Sequence, residues 1–284
     1  MKKIFLTGST SFLGSKFIEL YKNRYTILGI AKGDANYPVN ILDIEALKKL
    51  YIEFQPDVII HTAAVVDKDA NKVRIPNIKG TENIVAIAQI NTTPIIFSSS
   101  ESVYGGKEQT GEYIETDPYK PRSAYGETKV ESEKIIMASG LPYLFTRCHR
   151  YVGINNNYHK PKQFSDTIKA LVNKQEVHLD SHRLFRPCLI NHIAEIYVYY
   201  LKHDLGKNII MNLGVDKAIT YYDFMKDVVK ELGLNQDLIK PDGEETGWPE
   251  NSTLSIEKMR ELGYPILTYT YLLEVLKRDW VSFH

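Results

Sequence analysis

The sequence predicts an α/β fold: a doubly wound parallel sheet followed by a small, mainly helical C-terminal lobe. In the first half of the 284 residues, short apolar runs alternate with stretches whose apolar residues recur at helical spacing. Several runs, such as DVII and PIIF, are almost wholly apolar, as expected of parallel strands that are buried on both faces. After about residue 150 the alternation loosens and helical patterns dominate.

Individual elements follow from the same patterns. The predicted strands are Ile4–Leu6, Thr26–Ile30, Val58–His61, Ile95–Ser98 and Tyr143–Thr146. The helices predicted between them are Leu13–Tyr21, Ile44–Phe54, Asn77–Gln89 and Tyr125–Ser139. Further helices are predicted within SDTIKALVNK, NHIAEIYVYYL and YYDFMKDVVKELGL. We therefore expect residues 1–150 to form the sheet domain and residues 151–284 a lobe that can return a segment to the sheet.

Composition excludes several classes of partner. Lysine plus arginine equals aspartate plus glutamate, at 35 each, so there is no basic field to attract nucleic acid. No stretch approaches the roughly 20 apolar residues that span a bilayer, and the first apolar stretch is too short for a signal peptide. Cys148 and Cys188 lack metal-ligand spacing. We expect free thiols in a reducing compartment, hence a cytoplasmic protein without a metal site.

The stretch KIFLTGSTSFLG combines a strand, a tight loop and a helix start. Such a loop aims backbone N–H groups at an anion, helped by the partial positive charge of the helix N-terminus. Its glycines are Gly8 and Gly14, and Ser11 stands where a third glycine is expected. Ser11 adds a Cβ that crowds a pyrophosphate and a hydroxyl that can donate to it. Glycine spacing alone leaves a purely structural turn equally open.

The stretch SAYGETKVESEK places Tyr125 and Lys129 on one helix face. A cation beside a phenol lowers the pKa of the phenol, so we expect this tyrosine to exchange a proton near neutral pH. Upstream, FSSSESVYGG ends an apolar strand in small hydroxyl residues, at the edge where such sheets bind ligands. A serine there can bond a carbonyl oxygen that the tyrosine protonates, while a nicotinamide supplies hydride. Tyr-x-x-x-Lys alone is common by chance, but the ordered combination is specific.

These motifs resemble those of the extended short-chain dehydrogenase/reductase family, in its nucleotide-sugar epimerase, dehydratase and reductase group. TGSTSFLG resembles the family's TGxxGxxG, FSSSESVYG its SSSxxVYG, and YGETK its YxxxK. RCHRYVG resembles RxxNVYG, with Arg150 in place of the usual asparagine. VDKDAN and WPENSTLSIEK are similar to stretches of the dTDP-4-dehydrorhamnose reductases within the group. The resemblance implies a Rossmann-type fold, with a dinucleotide-binding domain over residues 1–150 and a substrate-binding lobe over residues 151–284.

The resemblance also implies catalytic roles at the matching positions. Ser100 matches the catalytic hydroxyl, Tyr125 the acid/base, and Lys129 the residue that tunes it and binds the nicotinamide ribose. Glu101 follows directly and is a candidate for a second proton transfer, with a solvated loop carboxylate as the alternative. Dehydratases carry a further acid where this chain has Ser102, which argues against dehydration.

The expected cofactor is NADP, with NAD as the alternative. The residues matching the family's cofactor site are Gly8, Ser11, Phe12, Leu13, Gly14, Lys32, Asp43, Ile44, Ala63, Ala64, Val65, Asn77, Tyr125 and Lys129. NAD-binding proteins usually place an acid after the second strand to hold the ribose 2′-hydroxyl, whereas this chain has Ala31 and Lys32. Lys32 can pair with a 2′-phosphate, although a solvated surface lysine explains it equally well. Asp43 is likewise compatible with a helix N-cap.

Candidate substrate residues are arginines, because a guanidinium binds phosphate through two hydrogen bonds. RCHR offers Arg147 and Arg150, and LDSHRLFRP offers Arg183 and Arg186. A nucleotide sugar carries a diphosphate that needs such contacts. Ion pairs that bridge the domains are the alternative.

The combined expectation is an NADP-dependent reductase of a keto group on a nucleotide-activated deoxysugar, similar to the dTDP-4-dehydrorhamnose reductases. A nucleotide-sugar 4-epimerase with tightly held NAD is the alternative enzyme. Because the family includes a regulatory subunit of methionine adenosyltransferase, an NADP-binding regulatory protein without turnover is the alternative of another class. We expect no nucleic-acid or membrane partner, and a homodimer remains open.

Overall fold

A central sheet flanked by helices organises the computed structural model, which describes residues 1–33, 35–105, 111–154, 163–242 and 253–282. The strands are β1 (Lys3–Thr7), β2 (Thr26–Ile30), β3 (Val58–His61), β4 (Ile95–Ser98), β5 (Tyr143–Arg147), β6 (Arg150–Val152), β7 (Val177–Asp180), β8 (Leu184–Phe185), β9 (Pro187–Leu189), β10 (Ile209–Asn212), β11 (Ile219–Thr220) and β12 (Ile239–Asp242). The helices are α1 (Phe12–Tyr21), α2 (Ile44–Phe54), α3 (Ala70–Arg74), α4 (Gly80–Ala88), α5 (Ala124–Ala138), α6 (Gln163–Val172), α7 (Ile190–His203), α8 (Tyr221–Glu231), α9 (Glu257–Glu261) and α10 (Tyr269–Val281).

The central sheet is six-stranded and parallel, in the order β10-β5-β4-β3-β1-β2. Its strands are apolar because helices cover both faces, and all four residues of β3 are buried. The chain proceeds to opposite sides of β1 in forming β2 and β3, and such sheets bind ligands beyond the carboxyl ends of the strands at this reversal. The predicted α/β fold class is confirmed.

The second half of the chain also contributes to the sheet and its packing. β10 pairs with β5 at one edge, and α7 packs against α1, where Phe17 and Tyr197 place their ring centroids 6.4 Å apart. Small two-stranded sheets, β6 with β9, β7 with β12 and β8 with β11, accompany the helices of the lobe. Sequence analysis did not predict these strands individually, because two to four residues are too few to show a period. No helix in the described parts of the chain is long and apolar enough to cross a bilayer.

One helix prediction is wrong at its start. The predicted helix Asn77–Gln89 actually begins at Ala70, and a π-helical turn, Ile75–Lys79, joins α3 to α4. Pro76 explains both the error and the turn, since proline lacks an N–H group and its ring clashes with the preceding turn of an α-helix. This π-helical turn contains Asn77, one of the residues predicted to bind the cofactor.

A buried polar chain holds the carboxyl ends of β1 and β3 together. His61 Nδ1 lies 2.8 Å from Thr7 Oγ1, and its Nε2 lies 3.2 Å from Thr81 Oγ1. The backbone N–H of Ala63 donates to the same Thr7 hydroxyl oxygen at 3.2 Å. Burial, together with a smaller effect of the nearby Lys129, lowers the pKa of His61 to about 3. The imidazole therefore stays neutral inside the fold.

This burial predicts an acid-sensitive fold. The folded-state pKa of His61 is depressed, so the unfolded chain binds a proton that the native protein does not, and stability falls as the pH drops through 6.5 toward 3. Between about pH 7 and pH 5 this group should remove about 2 kcal/mol from the free energy of unfolding. Urea unfolding at both pH values should show a smaller loss in His61→Gln than in the wild type. The exposed His178→Gln is the control; equal losses in all three proteins would refute the assignment.

Candidate active site

A cavity of about 430 Å³ opens beyond the carboxyl ends of β4 and β5. One wall carries Ser100, Glu101 and Tyr125, from the end of β4 and the first turn of α5. Arg150 and Tyr221 from the second half of the chain line the cavity as well. Residues of the predicted sheet domain and of the predicted C-terminal lobe therefore line the same cavity.

Ser100 is held in a short hydrogen-bond chain. Its Oγ donates to Glu101 Oε2 at 2.7 Å and accepts from Ser102 Oγ at 2.9 Å. It also accepts the backbone N–H of Ser102 at 3.2 Å, which caps the 3-10 turn Glu101–Val103. Tyr125 lines the same cavity as Ser100. The two hydroxyls can therefore face one substrate oxygen.

Because residue 126 is glycine, α5 can pack closely against the end of β4. A Cβ at this position would lie 2.5 Å from the carbonyl oxygen of Ser102, a distance that no side chain tolerates. The helix begins at the N-cap Ser123, whose Oγ accepts the N–H of Gly126 at 3.0 Å. This start places Tyr125 in the first turn, directly against the serine-rich end of β4.

Lys129 lies beneath the tyrosine with only 3% of its surface exposed. Its Nζ donates to the Ser98 carbonyl oxygen at 2.6 Å and lies 4.4 Å from the ring centroid of Phe97. Burial lowers the pKa of Lys129 to about 7, and the charge of Glu133 opposes that shift.

The expectation of a lowered tyrosine pKa is wrong for this structure. Burial raises the pKa of Tyr125 above its usual value, and the charges of Glu101 and Cys148 raise it further. The Lys129 ammonium is directed at the Ser98 carbonyl instead, 5.6 Å from the tyrosine ring centroid. The phenol is therefore protonated at neutral pH, which is the form that donates a proton to a carbonyl oxygen.

Glu101 is half-buried in the cavity wall rather than solvated. Burial raises its pKa to about 7, although the Ser100 hydrogen bond and the charge of Arg150 both lower it. A carboxyl group with this pKa can gain or lose a proton near neutral pH. The geometry is compatible with the second proton-transfer role considered for it.

The glycine loop before α1 is tightly closed. A Cβ on Gly14 would lie 2.2 Å from the carbonyl oxygen of Gly8, so only glycine lets the helix approach the loop this closely. Ser11 is the N-cap of α1: its Oγ accepts the N–H of Gly14 at 3.0 Å and lies 3.3 Å from Thr62 Oγ1. The serine hydroxyl therefore caps the helix, a role that sequence reasoning missed. Phe12 and Leu13 begin the first helical turn, whose N–H groups and positive dipole end fit an anionic group.

Asn77 fixes the turn after β3, where Ala63, Ala64 and Val65 were predicted to bind the cofactor. Its Oδ1 accepts the N–H of Val65 at 2.8 Å, and its Nδ2 donates to the Val65 carbonyl oxygen and to Thr128 Oγ1, both at 3.0 Å. The π turn that contains Asn77 thus ties this turn to α5.

Lys32 and Asp43 were predicted to contact the cofactor. Lys32 is exposed just beyond β2. Asp43 caps α2, since its Oδ1 accepts the N–H of Ala46 at 3.1 Å, and Ile44 is the first residue of that helix. A second cavity, of about 470 Å³, reaches Ser9 and Thr10 of the glycine loop.

The predicted arginines divide into different environments. Arg147 is 1% exposed and pairs with the equally buried Glu133, so it is not a substrate ligand in this cavity. Arg183 pairs with Asp180, its Nε 2.5 Å from Oδ2, and Arg186 pairs with Glu112. Neither lines the cavity. All three arginines are thus held in ion pairs, but only the pair between Arg186 and Glu112 joins the two predicted domains.

Arg150 alone among those candidates lines the cavity. Its guanidinium carbon lies 4.6 Å from the Tyr221 ring centroid, and its Nη1 donates to Gln163 Oε1 at 2.6 Å. Among the described residues, no carboxylate pairs with it. The contacts of Tyr221 and Gln163 with Arg150 were not predicted; Tyr221 lies far from Arg150 along the chain, and Gln163 lies beyond a polar stretch without a readable period. Within the ranges that the structure describes, no cluster of histidine, cysteine and carboxylate side chains could hold a metal ion.

Comparisons with known proteins agree with this geometry. The family model described as RmlD substrate binding domain matches residues 1–278. The spore coat polysaccharide biosynthesis protein SpsK of Bacillus subtilis is 24% identical over 274 residues, which cover 93% of this chain and 92% of that protein. The bovine methionine adenosyltransferase 2 subunit beta is 30% identical over 149 residues, 49% of this chain and 44% of that protein. The WPENS part of the predicted subgroup similarity, residues 248–252, lies outside the described residues.

Solved structures share the fold over the whole chain. The dTDP-4-dehydrorhamnose reductase of Bacillus anthracis, crystallised with NADP, superposes with a TM-score of 0.84 at 19% identity and covers 99% of this chain and 100% of its own. The UDP-glucose 4-epimerase of Thermotoga maritima reaches 0.84 at 20% identity, with 99% of each chain covered. Since the family model spans residues 1–278, the chain belongs to the RmlD substrate binding domain family, within the extended short-chain dehydrogenases/reductases.

Proposed function

We propose that this protein is an NADP-dependent reductase of a keto group on a nucleotide-activated deoxysugar. The observation that carries the proposal is the wall of the 430 Å³ cavity, where Ser100, Glu101 and Tyr125 meet above the buried Lys129. The names of the relatives support a sugar substrate, since one is a spore coat polysaccharide biosynthesis protein and another a dTDP-4-dehydrorhamnose reductase.

The first half of the chain fits a dinucleotide. The glycine loop and the N-terminus of α1 suit the pyrophosphate, and the turn held by Asn77 suits the neighbouring part of the cofactor. When bound, NADPH supplies the hydride. Lys129 retains N–H groups beyond the one given to Ser98, and we assign these to the nicotinamide ribose.

The residues of the cavity then complete a carbonyl reduction. Ser100 orients the keto oxygen by a hydrogen bond, and Tyr125, whose phenol is protonated at neutral pH, donates the proton to it. Glu101 is suited to return a proton to this chain of hydroxyls, because it accepts from Ser100 and its pKa is about 7. Arg150 is the cation available to an anionic part of the substrate.

A substrate screen tests the proposal. Purified protein is incubated with NADPH and a panel of nucleotide 4-keto-sugars while NADPH absorbance is followed. Loss of absorbance with one of them supports the reductase and identifies the sugar. Absence of turnover on the whole panel contradicts the proposal.

Two other functions give different outcomes. A 4-epimerase would carry tightly held NAD through purification and interconvert sugars without added cofactor. A regulatory protein, which the 30% identity to the methionine adenosyltransferase 2 subunit beta favours, would bind NADPH, co-purify with a partner and turn over no keto-sugar. We rank an enzyme above the regulatory protein because Ser100, Tyr125 and Lys129 are all present, with Ser100 and Tyr125 in one cavity and Lys129 Nζ 5.6 Å from the Tyr125 ring centroid.

The cofactor preference yields a prediction about Lys32. With an exposed lysine and no acid at residues 31–33, the protein should bind NADPH more tightly than NADH. Lys32→Ala should weaken NADPH binding by up to about fivefold, as expected for one exposed ion pair of up to about 1 kcal/mol, and leave NADH binding unchanged. Fluorescence titrations measure both. The exposed Lys48→Ala on α2 serves as the control, and tighter binding of NADH by the wild type would contradict the preference.

The N-cap role of Ser11 yields a second prediction. Ser11→Gly should change NADPH affinity less than tenfold, because glycine is a tolerated N-cap and tenfold needs about 1.4 kcal/mol. Ser11→Val removes the cap and adds a branched side chain, so it should cost about 1 kcal/mol of stability and weaken NADPH binding clearly. Urea unfolding and fluorescence titration separate the two effects. If the Ser11→Val variant binds NADPH as tightly as the wild type does, residue 11 does not border the pyrophosphate.

A further inference from the structure

Glu133 is a fully buried acid that the proposed chemistry does not use. It lies on α5 four residues after Lys129, which itself lies four residues after Tyr125. Residues four apart share a helix face. The three side chains therefore form one stripe along α5, directed at β4 and the start of the cavity.

The stripe is joined to consecutive residues at the end of β4. Lys129 Nζ donates to the carbonyl oxygen of Ser98 at 2.6 Å. Glu133 Oε1 accepts from the hydroxyl of Ser99 at 2.5 Å. Ser98 and Ser99 thus each have a hydrogen-bond partner on the helix, and Ser100 lines the same cavity as Tyr125.

Glu133 is itself held rigidly. Its Oε1 also accepts from Arg147 Nε at 3.0 Å, and its Oε2 accepts from Arg147 Nη2 and from Tyr119 OH, both at 2.6 Å. A carboxylate with four donors in fixed directions cannot rotate without breaking several charge-assisted hydrogen bonds. Glu133 can therefore hold the end of β4 in a fixed position.

We infer that Glu133 is a positioning residue: through Ser99 it fixes the register between the end of β4 and α5, and one helical turn from Lys129 it supplies the negative charge that faces the ammonium. The expected effect on kcat rests on the proposed reductase function. The effect of Glu133 on the position of Ser99 and on the ionisation of Lys129 does not depend on that function. Ser100 follows Ser99 directly, so a loosened Ser99 would misplace the hydroxyl that orients the keto oxygen opposite Tyr125.

The groups around Lys129 support an effect of the Glu133 charge on the pKa of this lysine. His61 from β3 is neutral and lies near it, Phe97 and Ser98 from β4 offer a ring and a carbonyl oxygen, and Tyr125 is protonated. Glu133 is the acid that raises the pKa of Lys129 against the effect of burial. Removing its charge should lower that pKa further below about 7, so the ammonium would be lost at neutral pH.

The test measures the ionisation of Lys129 directly. Protein with ¹³C-labelled lysine is titrated by NMR, and the Lys129 resonance is assigned by its loss in Lys129→Met. Glu133→Gln should lower the pKa of Lys129 by about one unit or more. Ser99→Ala, which keeps the charge, should leave that pKa unchanged and lower kcat about tenfold with little change in KM for NADPH. Glu131→Gln, on the exposed side of α5 beside Arg74, should do neither.

Each outcome is decisive. An unchanged Lys129 pKa in folded Glu133→Gln overturns the electrostatic part, and an unchanged kcat in Ser99→Ala overturns the positioning part. If Glu133→Gln does not fold, the titration is made on Glu133→Gln combined with Arg147→Met, which removes the cation left unpaired. If the wild type reduces no keto-sugar, the proposed function fails, whereas the NMR titration still decides the link between Glu133 and Lys129.

Discussion

Tyr125→Phe is expected to lower kcat by about 10²–10⁴-fold, the usual contribution of a general acid. The phenol is protonated at neutral pH, because burial and the charge of Glu101 raise its pKa. Phenylalanine keeps the ring that lies 5.6 Å from Lys129 Nζ and removes the hydroxyl. The loss should therefore fall on proton transfer and leave the surrounding packing intact.

NADPH binding separates this effect from a general disturbance of the site. Fluorescence titration should give the same NADPH affinity for Tyr125→Phe and the wild type, because the variant retains Lys129 and the glycine loop. Lys129→Ala should lower both affinity and kcat, since we assign it both ribose binding and the support of the tyrosine. Tyr271→Phe, at an exposed position of α10, controls for the loss of a phenol elsewhere. Near-normal turnover by Tyr125→Phe would show that another group supplies the proton.

The sheet was predictable because its strands are buried on both faces. β2, β3 and β4 have the predicted bounds, β1 is longer than predicted by one residue at each end, and β5 is longer by one residue at its C-terminal end. Burial on both faces requires continuous apolar runs, and such runs are visible without knowledge of the partner strands. The strands of the lobe lack this signal, as β8 and β11 contain two residues each. Their pairing depends on contacts between distant segments.

The ionisation of the site was less predictable than its composition. Helical spacing correctly brings Tyr125 and Lys129 to one face. It does not reveal that the Ser98 carbonyl and the Phe97 ring receive the ammonium, or that Glu101 faces the phenol. These groups come from the end of β4, so their effect on the pKa of Tyr125 depends on the three-dimensional approach of strand and helix.

Arg147 and Arg150 show a similar limit. They are three residues apart, and both suited a phosphate ligand by residue type. Arg147 is enclosed because Glu133, Tyr104 and Tyr119 surround it from distant parts of the chain. Because these partners are distant in sequence, the enclosure of Arg147 could not be predicted. Only the folded structure distinguishes the buried Arg147 from Arg150, which lines the cavity.

That enclosure makes Arg147→Ala the substitution with the largest expected cost in stability, about 3–5 kcal/mol of the free energy of unfolding. The variant would leave Glu133 charged and without its ion-pair partner in a site where both side chains are no more than 1% exposed. It would also remove the hydrogen bonds that Arg147 donates to Tyr104 OH at 2.6 Å and to the Glu115 carbonyl oxygen at 3.1 Å.

A double substitution distinguishes the ion pair from the space it fills. Replacing both partners, Arg147→Met with Glu133→Leu, should cost less than Arg147→Ala alone, because no unpaired charge remains buried. Arg74→Ala is the surface control: its pairs with Glu127 and Glu131 are exposed and should contribute no more than about 1 kcal/mol. Urea unfolding at neutral pH measures all three variants. If Arg147→Ala costs no more than Arg74→Ala, the ion pair does not hold β5 to α5, and the fixed position of Glu133 against Ser99 must have another cause.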